Sequence, residues 1–363
     1  MPLDGVLTIL TDNRPVSFLI HWGFESLKEI LPGELWSQIH TVFCNPADAT
    51  DLESPGVTFF QGHTGELLFQ APPTVMRRMT RQKLRRLATT DIEICWNKTL
   101  ESFQVAEGPV DSVSLKFSDG SEATADVLVG ADGPRSQVRG MLLGPEKSKL
   151  TKSDYVCGYT SAVLGRELAE KIVKAHPIWT MAYHSAGVGG IGVEDAIDPN
   201  DMSTWVFNVT RLWRGESPPV NGDAAIDILK EKTQTFCDPF KSAAAGIPAG
   251  SPCFVRELSY WKPIPWPNHD GKVTLAGDAA HPMLPFRGQG LNHAMDDALR
   301  FVRTLTSVSV AKKPLKETVD AYDADVVKRG GRAVETAVKE GNMVHNMDNF
   351  DQTLVSKRGL AKE

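Results

Sequence analysis

The chain has 363 residues, 41% hydrophobic and 23% charged, with 39 Lys and Arg against 45 Asp and Glu, a net charge of −6. That length predicts two or three domains, and the composition excludes a wholly disordered chain and a dedicated nucleic-acid binder, which would carry a basic face. No apolar run approaches the ~18 residues of a membrane span and the opening lacks a secretory-signal pattern, so a cytoplasmic setting is expected.

In chain order, residues 6–10 read as a short strand closed by a turn cluster at Asp12, Asn13 and Pro15. Residues 25–42 read as helical with a break at Pro32. Residues 58–60 and 67–69 are strand-like on either side of a turn at 62–65, and 80–89 is helical with Leu84 and Leu87 on one face. Strand-like runs follow at 92–96, 112–117 and 123–129, with Asp119-Gly120 as a hairpin signal. From 155 to about 262 the pattern mixes strands (180–183, 189–193, 205–209) with a helix near 224–236, and is expected to form a second, β-rich domain. A Pro-rich connector at 261–268 leads to a strand at 273–276 and two long helices, 292–308 and 315–345. The five cysteines are odd in number and lack a CxxC pair, so neither a disulfide framework nor a metal site is expected.

Two stretches carry chemistry. In Val127-Leu-Val-Gly130-Ala-Asp132-Gly133-Pro-Arg-Ser136-Gln-Val-Arg139 a buried strand runs into glycines, an acid and a helix start. Glycine permits a sharp turn and close approach to a ligand. Asp132 suits a hydroxyl or nearby backbone amides, and Ser136 suits a helix cap; a tight turn with no ligand reads equally well. In the second, residues 273–298, an apolar strand ends at Gly277-Asp278. Pro282 and Pro285 follow, then Gly288-Gln289-Gly290 and a helix from about Leu291. A glycine-rich approach to a helix N-terminus suits an electron-rich oxygen or an anion, and Asp278 suits a polyol hydroxyl.

These residues resemble two fingerprints of the FAD-dependent aromatic-ring hydroxylases, the para-hydroxybenzoate hydroxylase-like flavoprotein monooxygenases. Arg81-Gln-Lys-Leu84 resembles the family's Arg-x-x-Leu helix start. The resemblance implies an α/β fold. It implies an FAD-binding domain over 1–154 and 263–363 that includes the long C-terminal helices, and a β-sheet substrate domain over 155–262. It implies that Arg81, Asp132 and Asp278 lie at the cofactor. It places Gly288, Gln289, Gly290, Leu291 and Asn292 around the flavin pyrimidine edge, with the helix dipole facing it, and Pro285 beside the ring where oxygen adds. NAD(P)H would reduce the flavin, and an oxygen atom of O2 would pass to a small aromatic or polycyclic substrate in a water-poor pocket. His281 is a conceivable base, although the family's histidine there is mainly structural.

The family opens with a strand, a G-x-G-x-x-G turn and a helix, which admit the FAD pyrophosphate. Residues 6–12 match at best the following strand, so the FAD-binding domain is expected to be N-terminally truncated. Three readings follow: an incomplete version of a working monooxygenase, a natural short homologue acting without FAD as an isomerase or cyclase, and a non-catalytic binding protein.

Smaller signals have bland defaults. His176, His184 and Arg211 are candidates for orienting a phenol or carboxylate, but lone residues of these types are more often structural. Trp179, Tyr183, Trp205, Trp213 and Trp261 are candidates for an aromatic pocket, though plain core is the commoner outcome. Arg77, Arg78, Arg81, Arg85 and Arg86 read as a basic run on a helix, by default a solvated face. Asp296 and Asp297 are not a metal pair, because adjacent helical residues point apart. Arg287 stands where glycine is common in relatives of this type.

Overall fold

The computed structural model describes residues 7–9, 16–46, 56–72, 75–106, 112–345, 353 and 356–357. The first part contains β1 (Leu7–Ile9), β2 (Ser17–Ile20), α1 (Gly23–Ile30), α2 (Gly33–Trp36), β3 (Thr58–Gln61), β4 (Leu67–Gln70), β5 (Arg77–Thr80) and α3 (Arg81–Ala88). Then come β6 (Ile94–Trp96), β7 (Leu100–Val105), β8 (Val113–Phe117), β9 (Glu122–Ala125), β10 (Leu128–Gly130) and α4 (Gln137–Ser148). The β-rich part holds β11 (Thr151–Val163), α5 (Arg166–Ala175), β12 (Trp179–His184), β13 (Gly187–Asp195), β14 (Val206–Arg214) and β15 (Val220–Asn221). It continues with α6 (Asp223–Thr233), α7 (Phe240–Ala245) and β16 (Cys253–Tyr260). The chain then returns through β17 (Val273–Leu275) to α8 (Gly290–Ser309) and α9 (Leu315–Val344). The turn expected at Asp12, Asn13 and Pro15 lies outside the described residues.

The break at Pro32 separates α1 from α2, because proline restricts its neighbour to extended backbone and lacks a donor. The single strand expected over 123–129 is two strands. β9 completes a three-stranded antiparallel sheet with β7 and β8, whereas β10 pairs in parallel with β17. The change of partner interrupts the ladder.

An eight-stranded sheet runs β15-β16-β11-β14-β13-β12-β3-β4. It is antiparallel except for β12 on β3, so residues 58–70 extend the sheet of the expected substrate domain from outside its boundaries. One face packs on α5, α6 and α7 around Ile172, Ile191, Phe207, Leu229 and Phe240. The other face, with Tyr155, Trp179, Tyr183, Val188 and Leu212, meets Leu284, Phe286 and the end of α9. That second face is turned to the chain leading into α8.

The G-x-G-x-x-G spacing occurs at residues 187–192, far from the N-terminal position it takes in the family. It lies in β13, within a hairpin rather than a strand–turn–helix unit. A Cβ at Gly190 would stand 2.3 Å from the Trp179 ring, and one at Gly192 would stand 2.4 Å from the Ile178 carbonyl oxygen. These glycines let the indole lie flat on the strand.

Candidate functional site

The two stretches singled out from sequence are hydrogen-bonded neighbours: Leu128, Val129 and Gly130 stand opposite Val273, Thr274 and Leu275 in a parallel pair. Parallel pairing brings both strand-end turns to one edge. Arg139, buried on α4, joins them by donating to the carbonyl oxygens of Pro134 at 2.6 Å and Ala279 at 2.8 Å, with its guanidinium 4.8 Å from the Trp261 ring. Burial lowers its pKa, and Asp132 and Asp278 oppose that shift.

Asp132 is committed to the local fold. Its carboxylate accepts from Ser136 Oγ at 2.5 Å, Gln137 N at 2.6 Å and Val138 N at 3.3 Å, and Ser136 Oγ accepts from Arg139 N at 2.9 Å. These bonds cap α4 in the way expected of Ser136. Asp132 remains exposed, with its oxygens already turned to the helix.

Asp278 sits in a 3₁₀ turn after β17. Its carboxyl is open to solvent yet crowded by protein on several sides; that crowding raises its pKa, and the His281 and Arg139 charges oppose the rise. The turn is set by Asp297 of α8, whose Oδ2 accepts from Gly277 N at 2.7 Å and pairs with His281 Nε2 at 2.7 Å. Arg329 of α9 donates to Asp297 Oδ1 at 2.5 Å and also contacts His293 Nδ1 at 3.2 Å. Burial works against the ionised Asp297, and His281 and Arg329 override it, holding the carboxyl well below its usual range. Burial likewise opposes a charged His281, and Asp297 more than compensates, so its pKa is raised. Both side chains are fully buried, so His281 touches the turn and not the surface where a substrate would lie. Asp296 pairs instead with Arg300 and Arg329, and no metal-ligating cluster is found among the described residues.

The approach to α8 is built from Leu284, Pro285, Phe286, Arg287 and Gly288. Pro285 is exposed, whereas Phe286 is buried against Tyr155, with ring centroids 4.8 Å apart. Gly288 closes the 3₁₀ turn at φ +58°, a left-handed conformation that favours glycine. No side chain caps α8, and a Cβ built on Gly290 would come no nearer than 3.9 Å to Asp278 Oδ1. Backbone donors and one carboxylate acceptor therefore stand side by side with room between them. That donor set fits a group bearing both hydroxyls and electron-rich ring heteroatoms, as the ribityl and pyrimidine parts of a flavin do.

Three of the expected cofactor residues have side chains engaged by protein. The fully buried Asn292 accepts from His21 N at 2.9 Å and Gly23 N at 3.0 Å, and donates to the carbonyls of Gly288 at 3.0 Å and Leu19 at 3.3 Å. Gln289 Oε1 accepts from the Trp22 indole at 2.6 Å. Leu291 packs into the core shared by α1 and α3. These side chains clamp α8 to β2 and α1. Arg81, part-buried, opens α3 at the end of the β2–β5 ribbon that Asn292 ties to α8.

The minor candidates divide by sheet face. Arg211 lies on the helix-covered face, 1% exposed, donating to the carbonyls of Val188, Ala186, Leu212 and Lys232. Burial lowers its pKa to about 9. His176 Nδ1 accepts from Ile178 N and Trp179 N, and His184 Nδ1 from Ala186 N, so both organise turns. Trp205 and Trp213 belong to the helix-covered core, and Trp261 to the Arg139 contact. Arg77 and Arg78 are in a strand and buried rather than on a solvated helix face, because β5 is covered by the end of β13.

Comparison with known proteins gives a consistent picture. The family model described as an FAD binding domain matches residues 70–337. The FAD-dependent monooxygenase phnB of Penicillium herquei is 32% identical over 94% of this chain and 84% of its own length. The FAD-dependent monooxygenase cctM of Talaromyces islandicus is 33% identical over 96% of this chain and 88% of its own length. Among solved structures, Klebsiella pneumoniae HpxO, complexed with FAD and uric acid, superposes with a TM-score of 0.73 at 19% identity, covering 95% of this chain and 83% of that one. The last shows shared fold.

Proposed function

This chain belongs to the FAD-binding-domain family of flavoprotein monooxygenases, and on that premise we propose that it hydroxylates or epoxidises a small aromatic or polycyclic molecule with NAD(P)H and O2. The observation that carries the reading is the juxtaposition of the exposed Asp278 with the uncapped start of α8. Asp278 and the backbone of Gly288, Gly290 and Leu291 would hold the ribityl and pyrimidine portions of FAD. When bound, FAD supplies electron transfer from a nicotinamide and oxygen delivery from O2.

The chain's own residues do the rest. The α8 N-terminus places partial positive charge where negative charge would gather on the ring. Asp297, held by His281 and Arg329, fixes the Asp278 turn relative to that helix, so we assign His281 a positioning role. Pro285 presents a donor-free surface beside the ring position. The sheet face bearing Trp179, Met181 and Tyr183 excludes water. No helix among the described residues is long and apolar enough to cross a membrane, and we place the reaction in the cytoplasm with its nicotinamide supply.

The test is flavin content. Purified protein should carry visible flavin absorbance near one equivalent and oxidise NAD(P)H in the presence of substrate. Asp278→Ala should lose the flavin with unchanged circular dichroism; full retention would refute this placement. A second reading, a flavin-independent isomerase or cyclase, draws on one observation: among the described residues, the parallel pairs β1 with β6 and β10 with β17 stand as two separate two-stranded sheets rather than one. Colourless protein that converts a substrate without NAD(P)H and O2 would decide for it.

A further inference from the structure

The face of the large sheet turned toward α8 carries a polar group that the reading above leaves unused. Across the strands, Phe254, Tyr159, Thr210, Gly190, Met181 and Phe59 stand in register as one row. Phe254, Tyr159, Thr210 and Met181 are only part-buried, so the middle of this face is a trough rather than a packed contact. At its β16 side Tyr159 stacks on Phe254, with centroids 5.3 Å apart and planes at 12°, and both line a cavity of about 340 Å³.

The hydroxyl of Tyr159 is held from behind. It donates to Glu194 Oε2 at 3.1 Å, and the same oxygen accepts from Ser17 Oγ at 2.7 Å and Arg78 Nη2 at 3.5 Å. Glu194 is 2% exposed, and its Oε1 has no hydrogen-bond partner among the described residues. Arg78 is held in turn with its guanidinium 4.3 Å from the Trp179 ring. A buried carboxylate that collects three donors on one oxygen is a costly arrangement to keep without a use.

We propose that Tyr159, oriented by Glu194, is the specificity-determining residue of the substrate site and accepts a hydrogen bond from a neutral hydroxyl-bearing aromatic, such as a polycyclic phenol. This rests on the monooxygenase reading for the site's identity, not for its chemistry. The single proton of Tyr159 is committed to Glu194 and Ser161 also hydrogen-bonds its oxygen, which leaves one lone pair as the acceptor for a substrate hydroxyl. Burial and the Glu194 charge push the phenol up, so it stays protonated and does not act as a base. A substrate carboxylate would meet this acceptor end unfavourably. The cation lining the cavity, Arg256, already donates to the carbonyls of Val220 and Val255 at 2.7 Å each and to Asn221 Oδ1 at 2.5 Å.

The experiment titrates the purified full chain with three fluorescent probes of one shape: 2-naphthol, its methyl ether and 2-naphthoate. Wild type should bind 2-naphthol at least about tenfold more tightly than the ether, the worth of one good hydrogen bond, and should bind 2-naphthoate weakest. Tyr159→Phe should bring the naphthol-to-ether ratio to about one without weakening the ether. Glu194→Gln should lower that ratio and improve 2-naphthoate binding. A ratio near one in wild type, a ratio unchanged in Tyr159→Phe, or no measurable 2-naphthol binding overturns the proposal. A general loss of packing would weaken all three probes together and leave the ratio intact. Flavin content of the same preparations separates the two claims: retained flavin with a flat ratio sinks only this inference, and lost flavin with the ratio preserved sinks only the monooxygenase reading.

Discussion

Asn292→Ala separates a side chain that clamps from one that faces a ligand. The substitution removes the acceptor shared by the His21 and Gly23 amides and the donor to the Gly288 and Leu19 carbonyls, all at a fully buried position. An orphaned buried group costs ~1–3 kcal/mol, so two amides left bare and a small cavity give about 3–5 kcal/mol. At ~2.1 cal/mol/K per residue, a chain of this length has an unfolding entropy of about 0.76 kcal/mol/K, so the melting temperature should fall by about 4–7 °C. Differential scanning calorimetry on flavin-free protein reads this without interference from cofactor binding. A fall of less than about 1 °C, with flavin affinity still reduced, would show that Asn292 faces the ligand and that the clamp is not what holds α8.

Gly190→Ala should cost ~1–3 kcal/mol by overpacking, since the added methyl meets the Trp179 ring, itself pinned by Arg78. Gly33→Ala, with nothing within 4 Å of its Cβ, should be neutral or stabilising by up to ~1 kcal/mol. Equal urea midpoints for the two variants would contradict the packing account. Stability should also fall on acidification. Burial lowers His21 to about 4, His293 to about 3 and His345 to about 4, so the unfolded chain binds protons below pH 6.5 that the folded chain refuses. At pH 5 each contributes about 2 kcal/mol of lost stability. Asp323 acts the other way: burial raises its carboxyl to about 6, so the folded chain takes its proton first, and stability gains about 1 kcal/mol between pH 6 and pH 5. His281, with its raised pKa, also contributes stability on the acid side that is lost as pH rises. The net expectation is a melting temperature clearly lower at pH 5 than at pH 7, with a shallower slope in His293→Gln; no drop would refute the assignment of these imidazoles as buried and neutral.

The chain's local chemistry was legible where it depends on near neighbours in sequence. Pro32 divides two helices, Ser136 caps α4, and the glycine turns end β10 and β17, because each is a matter of backbone freedom within a few residues. The resemblance in residues 127–139 and 273–298 gave the family, and the α/β architecture followed from it. Tertiary structure alone decided which atoms are left over for function. Sequence spacing does not show that the side-chain amides of Asn292 and Gln289 bond His21, Gly23 and Trp22, about 270 residues earlier in the chain. Arg78 looked like a solvated charge until β13 delivered Glu194 to it. Tyr159 carried no signal, because its partner acid is brought close by strand register and not by spacing. A hydrogen-bonding group can be spent only once, and what it is spent on is settled by which distant segments fold against it.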